Sequence, residues 1–238
     1  RQPARCLRGR EPLLAERLNV PIMLANDADA GGLAEWSVLR AELLYWVLGG
    51  GWGGAWISRD GTVRFPALDW DGDDASLHPT NEPGYAVPLP KDAVRRRLRA
   101  AAVSWNRLEE ILVAELKPAD GVLHGPSGRD DCLRAEALVS GPGRLRLFRA
   151  VVGDHAAADE LPLTAEERRQ LDRPRVGGQI LDRLCRRRCP AAVKTDRLFG
   201  CLLAEAAVDI LQRAPADGFP EAAPLCLGGR PAGARPVV

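Results

Sequence analysis

Apolar residues form short unbroken runs early in this chain and return at helical spacing later. Residues 11–18 have the spacing of a short amphipathic helix, with Pro12 near its start. Val20 to Leu24 is an apolar run that predicts a buried strand ending at Asn26. A helix is predicted over 28–40, so Asp27 falls at a strand–helix junction. Leu43 to Leu48 and Ala55 to Ser58 predict two strands joined by the glycine stretch Gly49-Gly50-Gly51-Trp52-Gly53-Gly54, and Arg59 to Thr62 predicts the next turn. Residues 66–90 carry many Pro, Gly and Asp and predict loop, as do 118–131. Apolar positions at Leu98, Val103, Leu108, Ile111, Leu112 and Leu116 predict helix from Lys91 to Lys117. Further helices are predicted at 132–139, 142–152, 164–172, 176–188 and 195–213, and Leu225 to Leu227 predicts a last strand. Strands followed by a helical second half fit an α/β domain better than a bundle.

Composition narrows the function classes. A chain of 238 residues can bury a sizeable core. Its formal net charge of +1 gives no reason to expect nucleic acid as a partner. No apolar run is long enough to span a bilayer, so no membrane partner is expected. The six cysteines have no regular spacing, which suits a reducing cytosol and predicts a cytoplasmic protein. Cys185 and Cys189 stand four apart, on one face of the predicted helix, as a buried or incidental pair.

Three segments carry candidate chemistry. Asp27 could cap a helix or act as a general base. The glycine stretch could be a tight hairpin turn or a cradle whose backbone N–H groups approach an anion. Glu82-Pro83-Gly84-Tyr85 could be an exposed turn or present a carboxylate to a ligand. Base, phosphate loop and ligand acid, in that order, are what phosphoryl transfer to a hydroxylated substrate needs.

At these residues the chain resembles the bacterial glucokinases and the related ROK sugar kinases, of the hexokinase–actin–Hsp70 superfamily. Val20 to Ala28 is similar to the family's strand and catalytic Asn-Asp-Ala, and Leu48 to Ala55 sits where the family has its Gly-Thr-Gly phosphate loop. Glu82-x-Gly84-Tyr85 stands for Glu-x-Gly-His. Glu136-Ala137-Leu138-Val139-Ser140-Gly141-Pro142-Gly143, then Leu147-Phe148-Arg149-Ala150, resembles Glu-x-x-x-Ser-Gly-Pro-Gly followed by Leu-Tyr-Arg-Ala. Leu198 to Ala204 and Leu225 to Gly229 resemble the late helix and the adenosine turn.

The resemblance implies an α/β fold of the ribonuclease H-like actin/hexokinase type, with a mixed sheet and helices. Residues 1–40 would be the remnant of a small N-terminal domain, and 41–238 the large C-terminal domain. It implies an ATP- and Mg²⁺-dependent kinase acting on the 6-hydroxyl of glucose. Asp27 would be the base. Asn26, Asp27, Glu82, Tyr85 and Glu136 would bind sugar, and Gly49, Gly50, Gly51, Gly53, Gly54, Gly228 and Gly229 the nucleotide. A homodimer is compatible with it. The family's first phosphate loop, Asp-x-Gly-Gly-Thr, has no counterpart in residues 1–25, so a fragment lacking that part is expected. Gly50 replaces the family Thr and Tyr85 the family His. Of the family's Cys-rich zinc site only Cys132 falls at a comparable place, so no zinc is expected. Two rivals stay open: a catalytically silent sugar-binding relative, and an unrelated α/β domain.

Overall fold

The computed structural model describes residues 16–17, 27–64, 83–116, 123–125, 128–153, 161–171, 173–213 and 225–228. Among the described residues the fold is α/β, with two small sheets and many helices. Its larger sheet has four strands: β1 (Leu43–Leu48), β2 (Trp52–Ile57), β3 (Val63–Arg64) and β6 (Leu225–Gly228), in the order β3-β2-β1-β6. β1 pairs antiparallel with β2, from Leu43 opposite Ile57 to Leu48 opposite Trp52, and parallel with β6. The sheet is therefore mixed, and β6, near the end of the sequence, lies beside β1.

Only Gly49, Gly50 and Gly51 form the hairpin turn. The expected glycine loop ran on to Gly54, but β2 already begins at Trp52, with Gly53 opposite Val47 and Gly54 opposite Trp46. The cause is aromatic packing. The indoles of Trp46 and Trp52, both fully buried, meet edge to face with centroids 5.1 Å apart. That contact holds the strands in register up to the Leu48–Trp52 pair.

Helix α1 (Asp27–Leu39) packs on this hairpin through its two glycines. A Cβ at Gly31 would lie 2.6 Å from the Tyr45 ring, and one at Gly32 would lie 3.0 Å from the Ile57 side chain. Helix-interior glycine costs roughly 0.5–1 kcal/mol relative to alanine, and here it permits the close approach. Asp27 and Asp29 stand in the first turn, where negative charge suits the helix dipole. Arg40, with φ 51°, ends the helix and stacks its guanidinium over Trp36 at 4.5 Å.

The segment expected as loop up to residue 90 contains, within its described part, a short helix α2 (Pro83–Ala86) and strand β4 (Pro88–Pro90). β4 pairs with β5 (Cys132–Arg134), placing Leu89 opposite Leu133. A helix was expected at 132–139. Instead strand pairing buries Leu133, and a 3₁₀ turn over Ala135–Ala137 leads to the cap of the next helix. The single helical run expected from Lys91 to Lys117 is two helices, α3 (Lys91–Ala100) and α4 (Trp105–Glu115). Ala102 takes φ 50° between them, and the Ser104 hydroxyl accepts the Arg107 N–H to start α4.

Helix α5 (Gly141–Val152) begins at Ser140, whose Oγ accepts the Gly143 N–H at 3.0 Å, with Pro142 in the first turn. Then come α6 (Ala165–Gln170), α7 (Pro174–Arg186) and α8 (Pro190–Arg213). Both α7 and α8 start earlier than expected because each opens on a proline, which suits the first helical position. Cys185 and Cys189 do not share a helix face. α7 ends at Arg186 and Arg188 takes φ 57°, which turns the chain before Pro190. Burial pushes the Cys185 thiol up to about 12, with Asp196 adding to the shift, which disfavours the thiolate.

The main core joins the sheet to α3, α4, α5 and α8 through residues such as Trp46, Trp52, Leu98, Leu112, Leu147 and Leu202. A second core joins α5 to α7 through Leu145, Phe148, Ile180 and Leu184. Arg144 stitches this layer together, donating to Asp182 at 2.5 Å and to Asp196 at 2.7 Å. Among the described residues, no helix is long and apolar enough to cross a membrane.

Candidate functional site

Three segments far apart in sequence meet at the tip of the β1–β2 hairpin. The Trp52 backbone N–H donates to Glu136 Oε2 at 2.9 Å, across 84 positions of sequence. The Gly141 N–H, at the start of α5, donates to the Gly49 carbonyl at 2.8 Å. Gly84, in α2, lies against the same carboxylate: a Cβ there would collide with Glu136 Oε2 and stand 3.2 Å from Trp52 Cβ. At Gly51 a Cβ would lie 2.8 Å from Glu136 Oε1, and at Gly141 it would lie 2.6 Å from the Gly49 oxygen. A side chain at Gly51 or Gly84 would displace the Glu136 carboxylate, and one at Gly141 would press on the turn's backbone.

Local sequence explains why Glu136 points there. The 3₁₀ turn follows a strand, and the Ser140 hydroxyl donates back to the Glu136 carbonyl at 2.9 Å, which fixes that backbone. The glutamate is half-buried, not the solvated helix residue that spacing alone would suggest. Tyr85, the residue after Gly84, is half-buried and packs on the main core. Its carbonyl accepts from Arg134 Nη1 at 2.6 Å, which ties α2 to β5. Sequence reasoning passed over Arg134. Its signal was position alone, two residues before Glu136 in a strand paired with β4.

The other expected residues divide. Gly228 pairs with Val47 across the parallel β1–β6 ladder, two residues before the hairpin turn. Gly53 and Gly54 lie inside β2 rather than in the turn. Asp27 is exposed at the start of α1, where Oδ1 accepts the Ala28 N–H at 3.0 Å. It has no hydrogen bond to the Glu136 cluster among the described residues. Asp29, one turn position on, has a carboxyl held above its ordinary range by burial, with the Asp27 charge adding to it. Its Oδ1 is buried without a hydrogen-bond partner among the described residues. Asn26, Glu82 and Gly229 lie outside the described residues.

The turn offers an anion a limited cradle. The Gly49 N–H is spent on the Gly51 carbonyl at 2.8 Å, and the Trp52 N–H on Glu136. Around Gly49 and Gly50, nothing lies within 4 Å of where a Cβ would be. Among the described residues no hydrogen-bond partner stands on the Gly50 and Gly51 amides, so the tip is open to an anion there, though without the hydroxyl a threonine would add. Those residues fit one phosphate group of a nucleotide.

No family model matches this chain, and no curated protein matches it. Solved structures similar in shape include three glucokinases. A ROK family glucokinase from Streptomyces griseus, in complex with glucose and AMPPNP, is 18% identical, with 92% of this chain and 55% of that one covered and a TM-score of 0.46. A glucokinase from an Antarctic psychrotroph is 17% identical, over 88% of this chain and 45% of that one, with a TM-score of 0.37. One from Balamuthia mandrillaris, in complex with glucose, is 16% identical, over 74% and 38%, also at 0.37. This chain spans about half the length of the first two. Likeness of this depth carries no functional argument, which must come from the chain's own residues.

Proposed function

We propose that this chain carries the sugar-binding surface and one phosphate-binding turn of an ATP-dependent sugar kinase of glucokinase type, with an actin/hexokinase-like fold. One observation supports this reading above all. Segments that resemble separate family motifs — the glycine turn, Gly84-Tyr85 and Glu136 with Ser140-Gly141 — meet around a single carboxylate.

In this reading residues 1–40 belong to a small first domain and 41–238 to the large one. Asp27 takes the proton from the sugar 6-hydroxyl, which requires a carboxylate within hydrogen-bond reach of it. Asn26, Glu82, Tyr85 and Glu136 bind the other sugar hydroxyls. Glu136, held in place by the Trp52 N–H, presents its carboxylate to the ligand. The amides of Gly50 and Gly51 hold a phosphate at the open tip, and Gly228 and Gly229 line the adenosine side. ATP supplies the phosphoryl group and Mg²⁺ neutralises its charge.

A second reading, a silent sugar-binding relative, is favoured by the missing hydroxyl at Gly50 and by the Trp52 N–H being committed to Glu136. Two measurements separate the readings. Calorimetric titration with glucose and other hexoses reads binding, and a coupled ADP-release assay reads turnover. The kinase reading expects Asp27→Asn to lower turnover by about a hundredfold or more while sugar affinity holds. Sugar binding without any ADP release would select the silent relative. Absence of binding to any hexose would remove both.

A further inference from the structure

Arg134 closes strand β5, two residues before Glu136. Its Nη1 donates to the Tyr85 carbonyl at 2.6 Å, across 49 positions of sequence. That carbonyl belongs to α2, a helix of four residues. The last carbonyls of a helix have no partner inside it, and a nearby arginine can satisfy them. In α2 the Val87 N–H closes the turn on the Pro83 carbonyl at 2.9 Å, and the Arg134 guanidinium takes the Tyr85 carbonyl.

The strand that follows α2 is a thin anchor. β4 is Pro88-Leu89-Pro90, and proline has no N–H to give the ladder. Arg134 is the residue opposite Pro88. Next to it the Ala135 N–H donates to the Val87 carbonyl at 3.0 Å. Val87 and Leu89 are fully buried, which keeps the segment on the core. Burial is non-directional, whereas the guanidinium bond is directional, so Arg134 fixes how α2 is turned. The orientation matters because Gly84 rests against the Glu136 carboxylate, where a Cβ would collide with Oε2. A turn of α2 therefore changes what that carboxylate faces.

We propose that Arg134 is a positioning residue for hexose binding, holding Gly84-Tyr85 in a fixed placement against the Glu136 carboxylate. The stretch from Arg134 to Glu136 thereby supplies the acid and also places the segment that faces it. The proposal rests on the sugar-binding reading above, in which Tyr85 and Glu136 bind hydroxyls of one sugar. Two groups that grip one rigid ligand need a fixed spacing, and holding that spacing in advance lowers the cost of binding.

The test compares Arg134→Met, which keeps length but no donor, with Arg134→Lys, which keeps the charge and a donor. The probe is the hexose that binds the unmutated chain most tightly, read by calorimetric titration. Affinity should fall about tenfold in Arg134→Met and stay within about threefold in Arg134→Lys. Where ADP release is measurable, the loss should fall on KM, with kcat within about twofold. Circular dichroism and a thermal melt check each variant, and Arg134→Gln takes over if Arg134→Met does not fold. A residue that only stabilised the fold would lower the melting temperature and leave the affinity of the folded chain unchanged. Unchanged hexose affinity in folded Arg134→Met, no rescue by Arg134→Lys, or a loss confined to kcat would overturn the proposal and leave the sugar-binding reading standing. An unmutated chain that binds no hexose would overturn both.

Discussion

At Gly141 and Gly143 the chain runs so close to neighbouring backbone that a Cβ would strike it, while at Gly51 and Gly84 a Cβ would strike the Glu136 carboxylate. A few residues along the same helix α5, Arg144, Arg146 and Arg149 instead reach outward through long side chains to acids on α4, α7 and α8. The hairpin tip is thus assembled by backbone contact and one carboxylate, and the helical layer behind it by ion pairs. Backbone contact tolerates no added atom, whereas an ion-pair layer tolerates exchange as long as charges are removed together.

The largest effect should come from breaking the ion-pair layer on one side only. Arg144→Ala strands Asp182 and Asp196, both partly buried, and should cost about 3 kcal/mol in a urea melt. Replacing Asp182 and Asp196 by leucine in an Arg144→Met background should recover most of that loss, because apolar side chains can replace a buried ion pair. A triple variant no more stable than Arg144→Ala would show that the charges themselves are required.

Gly143→Ala tests the other regime. Its methyl would lie 2.5 Å from the Leu138 carbonyl carbon and oxygen, both backbone, so relief requires moving the chain. A loss of about 2 kcal/mol is expected, with no second-site charge change able to restore it. A stability within error of wild type would show that the first turn of α5 has slack.

The smallest effect concerns pH. The Asp29 carboxyl titrates above its ordinary 3.8, raised by burial and then by Asp27. An acid with a raised folded value binds protons more tightly folded than unfolded. It therefore subtracts stability as pH rises through that window, and the full penalty is present at neutral pH. Asp29→Asn should raise the melting temperature at pH 7 and leave it nearly unchanged well below pH 3.8. An equal shift at both pH values would mean that ionisation is not the cause.

Much of the frame was legible. The run Leu43 to Leu48 read as a strand because it is unbroken and apolar, and the helix expected at 142–152 is found at Gly141–Val152, behind the Ser140 cap. The turn was misjudged because glycine gives no side-chain periodicity. What places Gly53 and Gly54 in a strand is the Trp46–Trp52 contact, which spacing does not reveal. Cys132 to Arg134 read as helix because three residues are too few to show alternation. The strand exists through its pairing with β4. The meeting of Glu136 with the turn was suggested only by the order of resembling motifs, since no local pattern links positions 84 residues apart.

Trp46 and Trp52 also make the hairpin tip visible to light. Both indole N–H groups are buried without a hydrogen-bond partner among the described residues, and the rings meet nearly at right angles, at 81°. Indoles in such surroundings emit at short wavelength, and a fixed pair couples its transitions in the near ultraviolet. The Trp52 amide is hydrogen-bonded to Glu136. Any ligand that pulls on that carboxylate therefore moves a chromophore, and binding at the tip can be followed spectroscopically without attaching a label.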